Sequence, residues 1–228
     1  MSDTANHISG ARLTGSWDTS LQQHIAELNG RFLELLAHSA AAEGVGIGTP
    51  IVVDLLPEWR QLSRAGLHRL AACPYLLLDA GFALPAHWRE VLAGAVQDAA
   101  DNGRGREHAI STDLVRRALV LAWHLARSNP LAARITLGMN AECTLLIAAR
   151  SIHQLEALAE LRPSWVRPRW ENRLDVWRQL LQAATHDQPQ RLRQLQLRGL
   201  QLMAGSLMAR PAERTTRATA PVQTGRRA

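Results

Sequence analysis

The chain has 228 residues, 46% of them hydrophobic, and a formal net charge of +6. This length allows one or two domains with a sizeable core, and this apolar content is typical of a globular helical protein and not of a disordered one. Because no run of about 18 uncharged apolar residues occurs and the polar start lacks an apolar stretch, we expect a cytoplasmic protein with no membrane partner and no secretory signal.

Helical periodicity dominates the chain and predicts an all-α helical bundle, after a flexible lead that we expect over residues 1–17. Apolar residues at spacings of three and four predict a helix over residues 18–42, with Asp18 or Ser20 as its N-cap. The wide apolar face of this helix favours a homodimer or a higher oligomer. We expect the N-terminal helical region to extend from residue 18 to residue 112.

Capping residues predict further helices in and after this region. Ser63 begins a short helix, Pro85 suits the first turn of another, and Ser111 with Asp113 caps a longer one. Glycines at 44–48 precede a β-branched run instead of following a strand, so they indicate a linker or turn and not a phosphate loop. The large aromatic residues here are expected in the core: Trp59, Tyr75, Phe82 and Trp88.

The second helical region is expected over residues 113–209 and contains a conspicuous break. A short helix over 130–137 ends at Gly138, which suits a left-handed terminator, and Asn140 suits the N-cap of the next helix. The break therefore predicts a sharp turn between two short helices.

Two short helices follow the break, over 141–149 and 152–161, and Ser151 with Gln154 fits a capping box for the second. This pair has the general layout of a helix-turn-helix. Its second helix offers only Gln154 as a common base reader, beside glutamates that repel phosphate, so packing or partner contact is the favoured role and DNA contact the alternative. We expect its core face to be formed by Leu155, Leu158 and Leu161.

The C-terminal third begins with a segment that interleaves arginine and tryptophan. Residues 162–170, "RPSWVRPRW", cannot form a regular helix because they contain two prolines. Helices are expected over 171–184 and 190–210, although leucine alternation in the latter is also compatible with a strand. The remaining tail, 210–228, has a composition that predicts disorder.

The cysteine and histidine pattern predicts neither a metal site nor a cofactor. Cys73 and Cys143 are far apart in sequence, and the chain contains no CxxC or HExxH motif. We expect both thiols to be buried as small hydrophobic groups. Because no paired carboxylates and no nucleophile in a catalytic context occur, we do not expect an enzyme.

The charge is unevenly distributed, and all basic residues are arginine. Residues 1–161 contain 13 arginines and 16 acidic residues, whereas residues 162–228 contain 13 arginines and 4 acidic residues. This asymmetry favours a polyanion partner for the C-terminal third. The alternative is that arginine usage reflects genome composition and that the basic tail is merely solvated.

The window from Leu114 to Trp170 contains "ARITLGMNAECTLLIAARSIHQLEALAE" followed by "VRPRW". In these segments the chain resembles FlhD, one subunit of the bacterial flagellar master transcriptional regulator. Residues 21–39 weakly resemble the opening helix of that family, which serves in dimer formation. The matching positions are Arg134, Leu137, Gly138, Asn140, Gln154, Leu158, Ala159, Glu160, Arg169 and Trp170.

The resemblance implies a dimerising helical activator that works on promoter DNA together with a second, zinc-containing subunit. Residues 43–112 have no counterpart in the family, which indicates a divergent or fused member. Val166 stands where family members can carry a cysteine that bridges two chains, so we expect no such bridge. The partner subunit's four-cysteine cluster is absent from the sequence, so this chain is not expected to be that partner.

The expected function is a DNA-associated transcriptional regulator of FlhD type that acts with a partner subunit on flagellar or related promoters. The alternative is a non-enzymatic helical adaptor of flagellar or secretion machinery that does not bind DNA directly. Trp165 and Trp170 are expected to anchor their loop on the core or, alternatively, to stack on bases. The residues predicted to contact DNA are Arg162, Arg167, Arg169, Arg173, Arg191, Arg193 and Arg198, with Gln154.

Overall fold

The computed structural model describes residues 14–42, 49–94, 106–162 and 165–208. The predictions for the glycines at 44–48, for the tail and for most of the lead lie outside the described residues. The described part is all-α, as predicted. Its helices are α1 (Thr14–Ala41), α2 (Pro50–Val53), α3 (Leu56–Gln61), α4 (Arg64–Ala71), α5 (Pro85–Leu92), α6 (Arg106–Ser128), α7 (Pro130–Leu137), α8 (Ala141–Ala148), α9 (Ile152–Leu161), α10 (Leu174–Thr185) and α11 (Pro189–Met208).

Two very short strands connect the halves of the chain. β1 (Leu78–Asp79) pairs antiparallel with β2 (Arg167–Pro168), and Leu78 lies opposite Pro168. Among the described helices, none on its own has both the length and the apolar character of a membrane span; α7 and α8 reach them only jointly, as a pair bent by 120°.

Helix α1 begins earlier than predicted and is covered by its own chain. It starts at Thr14, so Asp18 and Ser20 lie inside the helix and are not its N-cap, which corrects that prediction. Its apolar residues, such as Ile25 and Phe32, are fully buried, and α2, α3, α4 and α6 pack against it. Most of the apolar face that favoured oligomerisation is therefore covered by the chain itself over the described side chains, and the oligomeric state stays a prediction.

Several predicted helix ends are confirmed by their hydrogen bonds. Ser63 Oγ accepts from the backbone N–H of Gly66 at 3.1 Å, and Pro85 occupies the first turn of α5. Ser151 and Gln154 form the capping box that begins α9. The predicted cap at Ser111 and Asp113 is wrong, because α6 begins at Arg106 and these residues lie within it.

The region without a counterpart in the FlhD family does not form a separate lobe among the described residues. Helix α10 packs against α2, α3 and α4, and one hydrophobic cluster includes residues from Ile25 to Met203. Trp59 of α3 lies against Trp177 of α10, with ring centroids 6.2 Å apart, and Arg69 donates to the carbonyl of Ala184 at 2.7 Å. The boundary expected at residue 112 falls inside α6.

The break between α7 and α8 has the predicted geometry. Gly138 adopts the left-handed conformation, with φ of 66°, and the side chain of Asn140 accepts from the backbone N–H of Glu142 at 2.8 Å. A Cβ on Gly138 would lie 2.7 Å from Nη1 of Arg169. The turn therefore requires glycine for two reasons, backbone conformation and the close approach of a buried guanidinium.

We predict that Gly138→Ala lowers the free energy of unfolding more than Gly94→Ala. Both glycines have positive φ, but a Cβ on Gly94 meets no atom within 4 Å. The control thus carries only the backbone strain, about 1–2 kcal/mol, whereas Gly138→Ala adds a clash with Arg169. Urea unfolding of both variants measures the difference; equal losses would contradict the role of the arginine contact.

Candidate nucleic-acid interface

Arg169 is a structural residue in the interior. Its Nε donates to the carbonyl of Leu76 at 2.6 Å, and its Nη2 donates to the carbonyls of Leu78 at 3.0 Å and Leu137 at 2.8 Å. Desolvation by burial lowers the pKa of this guanidinium, and the carboxylate of Asp79 at 4.0 Å opposes that shift. With only 7% of its surface exposed, Arg169 cannot reach a phosphate, which corrects the prediction that it contacts DNA.

Arg162 is also removed from the predicted interface by burial. It is 4% exposed, and its guanidinium carbon lies 5.8 Å from the ring centroid of Trp165. Trp165 in turn packs on Trp88 with centroids 4.8 Å apart, and Trp170 makes an edge contact with Tyr75. The two loop tryptophans therefore anchor their segment on the core, and the prediction that Arg162 contacts DNA is wrong.

Arg167 and Arg173 are exposed but lie beside carboxylates of their own segment. Arg167 is 3.6 Å from Glu171, and Arg173 is 3.0 Å from Asp175. The hydrogen bonds between the latter two raise the pKa of Arg173 and lower that of Asp175. Exposed ion pairs of this kind are weak, so these arginines stay available at the surface, although a carboxylate accompanies each of them.

Gln154 serves the start of α9. Its Oε1 accepts from the backbone N–H of Ser151 at 3.0 Å, so the amide oxygen that a base contact needs is already used within the helix. The opposite face of α9 packs on α6 through Leu155 and Ala159. Leu161, expected in the core, is 73% exposed, which corrects that prediction. Helix α9 therefore offers little to a base edge.

The remaining predicted residues lie together on α11. Arg191, Arg193 and Arg198 are all exposed, and no acidic residue occurs between Pro189 and Met208. The nearest preceding acid, Asp187, lies 3.4 Å from Arg69. Helix α11 is thus a basic surface without neighbouring carboxylates on the same element, and the alternative prediction of a strand in this segment is wrong.

The position of α11 is fixed by a close contact at Gly199. A Cβ at this residue would overlap the hydroxyl of Tyr75 and would lie 2.5 Å from its Cζ and 3.0 Å from Cη2 of Trp170. Leu192 and Met203 are buried on the same side of the helix. Rotation of the helix about its axis would bring a residue with a side chain against Tyr75 and Trp170, so this contact favours the orientation in which the arginines face outward.

Three glutamines share the outward side with the arginines. Gln190, Gln194 and Gln201 are exposed. Charge alone did not single them out at the level of sequence. The available signal was their spacing of four and seven residues, which places them on one side of a helix.

A second surface feature is a groove between α1 and α6. Ion pairs join Arg31 to Asp113 and Glu27 to Arg117 in reverse order, so these helices run antiparallel. The groove has a volume of about 610 Å³ and an apolar floor. That floor includes Leu21, Leu28, Leu121 and Leu125.

The titratable groups of the described residues do not suggest redox or metal chemistry. No group of three or more His, Cys, Asp or Glu side chains within the described ranges is arranged to hold a metal ion. Burial raises the pKa of the Cys73 thiol to about 12 and that of Cys143 to about 12. Both thiols are buried, as predicted, and stay protonated at neutral pH.

Comparison of the chain with protein-family models, with curated proteins and with solved structures finds no match. The likeness to FlhD therefore rests on the residues named above.

We predict that Arg169→Met lowers the free energy of unfolding by about 3–5 kcal/mol, because removal of a buried charged partner leaves its acceptors unsatisfied. The matched control is Arg167→Met, two positions away, whose exposed side chain we expect to contribute no more than about 0.5 kcal/mol. Chemical unfolding measures both values. Equal, small effects would contradict the structural role of Arg169.

Proposed function

We propose that the protein is a DNA-associated transcriptional regulator of FlhD type that contacts the phosphate backbone through α11. The observation that carries the proposal is the exposed, acid-free set of Arg191, Arg193 and Arg198 on one long helix. Phosphate contacts of arginine supply most of the sequence-independent affinity of DNA-binding proteins. The dense arginines of residues 209–228 add attraction from the sequence that follows the helix.

The residues that carry the family likeness support the proposal because the fold brings them together. Leu137 ends α7 and Gly138 lies in the α7–α8 turn, whereas Arg169 and Trp170 come from a segment about thirty residues later. Arg169 nevertheless binds the carbonyl of Leu137 and lies against Gly138. The two parts of the motif thus form one physical unit, next to α11. A partner subunit, flagellar or related promoters and a cytoplasmic location belong to the same proposal.

A second candidate function is a helical adaptor that does not bind DNA directly. The groove between α1 and α6 favours it, because an apolar floor of this size is typical of a site that receives apolar groups. Its charged rim is balanced, since Glu27 and Asp113 both lie near Arg117. Nothing about the groove favours a polyanion, so the two candidate functions use different surfaces.

We predict that the chain binds duplex DNA with an affinity that falls log-linearly with salt concentration, and that each α11 arginine changed to alanine reduces the slope by about 0.9. The triple variant of Arg191, Arg193 and Arg198 should lose about three times that amount. Fluorescence anisotropy with a mixed-sequence duplex over a salt series measures the slopes.

The control for this experiment is Arg64→Ala, which removes one exposed arginine from α4. We expect its slope to match that of the unchanged protein. An equal loss in the control and in the α11 variants would mean that only net charge matters. Absence of binding to any duplex at low salt would overturn the proposed function and leave the adaptor as the candidate.

A further inference from the structure

We propose that α11 is a recognition helix that enters the major groove of duplex DNA, with Gln194 and Gln201 contacting base edges. This inference rests on the proposed function and assigns it a reading surface. The helix-turn-helix layout of the sequence gave DNA contact by α9 as an alternative. We assign the contact with base edges to α11 instead.

The outward residues of α11 form a central row of glutamines with arginine on both sides. At about 100° per residue, Gln190, Gln194 and Gln201 lie within about 40° of one another. Arg191 and Arg198, seven residues apart, form a row on one side of the glutamines, and Arg193 lies on the other side. All of these residues are exposed.

This arrangement matches the chemistry of a major groove. Glutamine forms paired hydrogen bonds with the N6 and N7 edge of adenine, and arginine reaches phosphates or guanine. A central row of glutamines with arginines on both sides therefore places base readers over the floor of the groove and cations toward its two phosphate walls. Leu197, 61% exposed beside the glutamine row, suits contact with a thymine methyl group.

The dimensions of the helix agree with this placement. The glutamine row from Gln190 to Gln201 spans about 17 Å at 1.5 Å per residue, which is the rise of about five base pairs. A helix of about 10–12 Å diameter fits a groove about 12 Å wide. The close contact of Gly199 with Tyr75 and Trp170 turns the opposite side of the helix toward solvent, so the glutamines and the arginines beside them share one orientation.

Helix α11 combines several exposed arginines with no carboxylate, which distinguishes it from the other long helix that is rich in arginine, α6. Two arginines of α6 lie beside acids: Arg117 is 2.8 Å from Asp113, and Arg116 is 3.5 Å from Glu160. Such acids would repel the phosphates on either side of a groove. Helix α11 has exposed arginine and glutamine in place of such pairs, which is the composition that a major groove accepts.

The test is selection from a pool of short duplexes with a randomised centre, using the full chain. We expect the unchanged protein to enrich a motif of a few adjacent base pairs. In the variants Gln194→Ala and Gln201→Ala, discrimination at one base pair each should fall about tenfold or more, while affinity for unselected duplex and its salt slope change less than about twofold. The matched control is Gln182→Ala, an exposed glutamine of α10, which should enrich the motif of the unchanged protein.

A variant that changes the preferred base tests the recognition helix without relying on the loss of binding or discrimination. Gln194→Arg should shift the preferred base at one position from adenine to guanine, because arginine pairs with the guanine edge. Salt-dependent binding without an enriched motif, or a motif unaffected by the Gln194 and Gln201 variants, would overturn the recognition helix and leave the proposed function standing. Absence of binding to any duplex at low salt would overturn both.

Discussion

The fold of the C-terminal half depends on one buried guanidinium. Arg169 donates to the carbonyls of Leu76 and Leu78 beside and within β1 and to that of Leu137 at the end of α7. The last carbonyls of a helix lack partners within the helix, and a cation near this end also interacts favourably with the helix dipole. One side chain therefore supplies hydrogen-bond donors both to a carbonyl at the end of α7 and to the carbonyls of the segment around β1. Its desolvation is costly, so these acceptors have to be in place for the charge to be tolerated.

The backbone of the same residue extends this network to the neighbouring helices. The backbone N–H of Arg169 donates to the carbonyl of Leu77 at 2.8 Å. The carbonyl of Arg169 accepts from Nε1–H of Trp177 in α10 at 2.7 Å. The next residue, Trp170, lies against Gly199 of α11. Arg169 thus contacts the α7–α8 turn, and its neighbour Trp170 contacts α11. A buried residue therefore helps to determine which face of α11 points outward.

Local signals in the sequence predicted local structure well. The left-handed Gly138, the Asn140 cap and the Ser151–Gln154 box follow from short-range hydrogen bonding, and each is present in the structure. The start of α6 was not predictable in this way, because Ser111 and Asp113 resemble a cap although the helix continues through them. Asp113 instead lies in ion pairs with Arg31 and Arg117.

The predicted interface shows a different limit of sequence reasoning. Residue type and charge cannot distinguish Arg169, whose partners are about 32 and 91–93 positions away, from Arg167, which is largely exposed. Only long-range contacts decide which arginines lie inside. The glutamines of α11 were accessible to sequence reasoning, because a helical period places them on one face, yet charge counting passes over neutral residues.

The division of the arginines also explains why a composition bias is a poor guide to a polyanion site. Of the seven arginines expected to contact DNA, two are buried, two lie beside local carboxylates and three lie on α11. Net charge assigns equal weight to all seven, but attraction for phosphate depends on cations that are exposed and that have no anion nearby. By that criterion the basic character of the C-terminal third is concentrated, among the described residues, on the single helix α11. The buried arginine contributes to the placement of that helix indirectly, through the contact of Trp170 with Gly199.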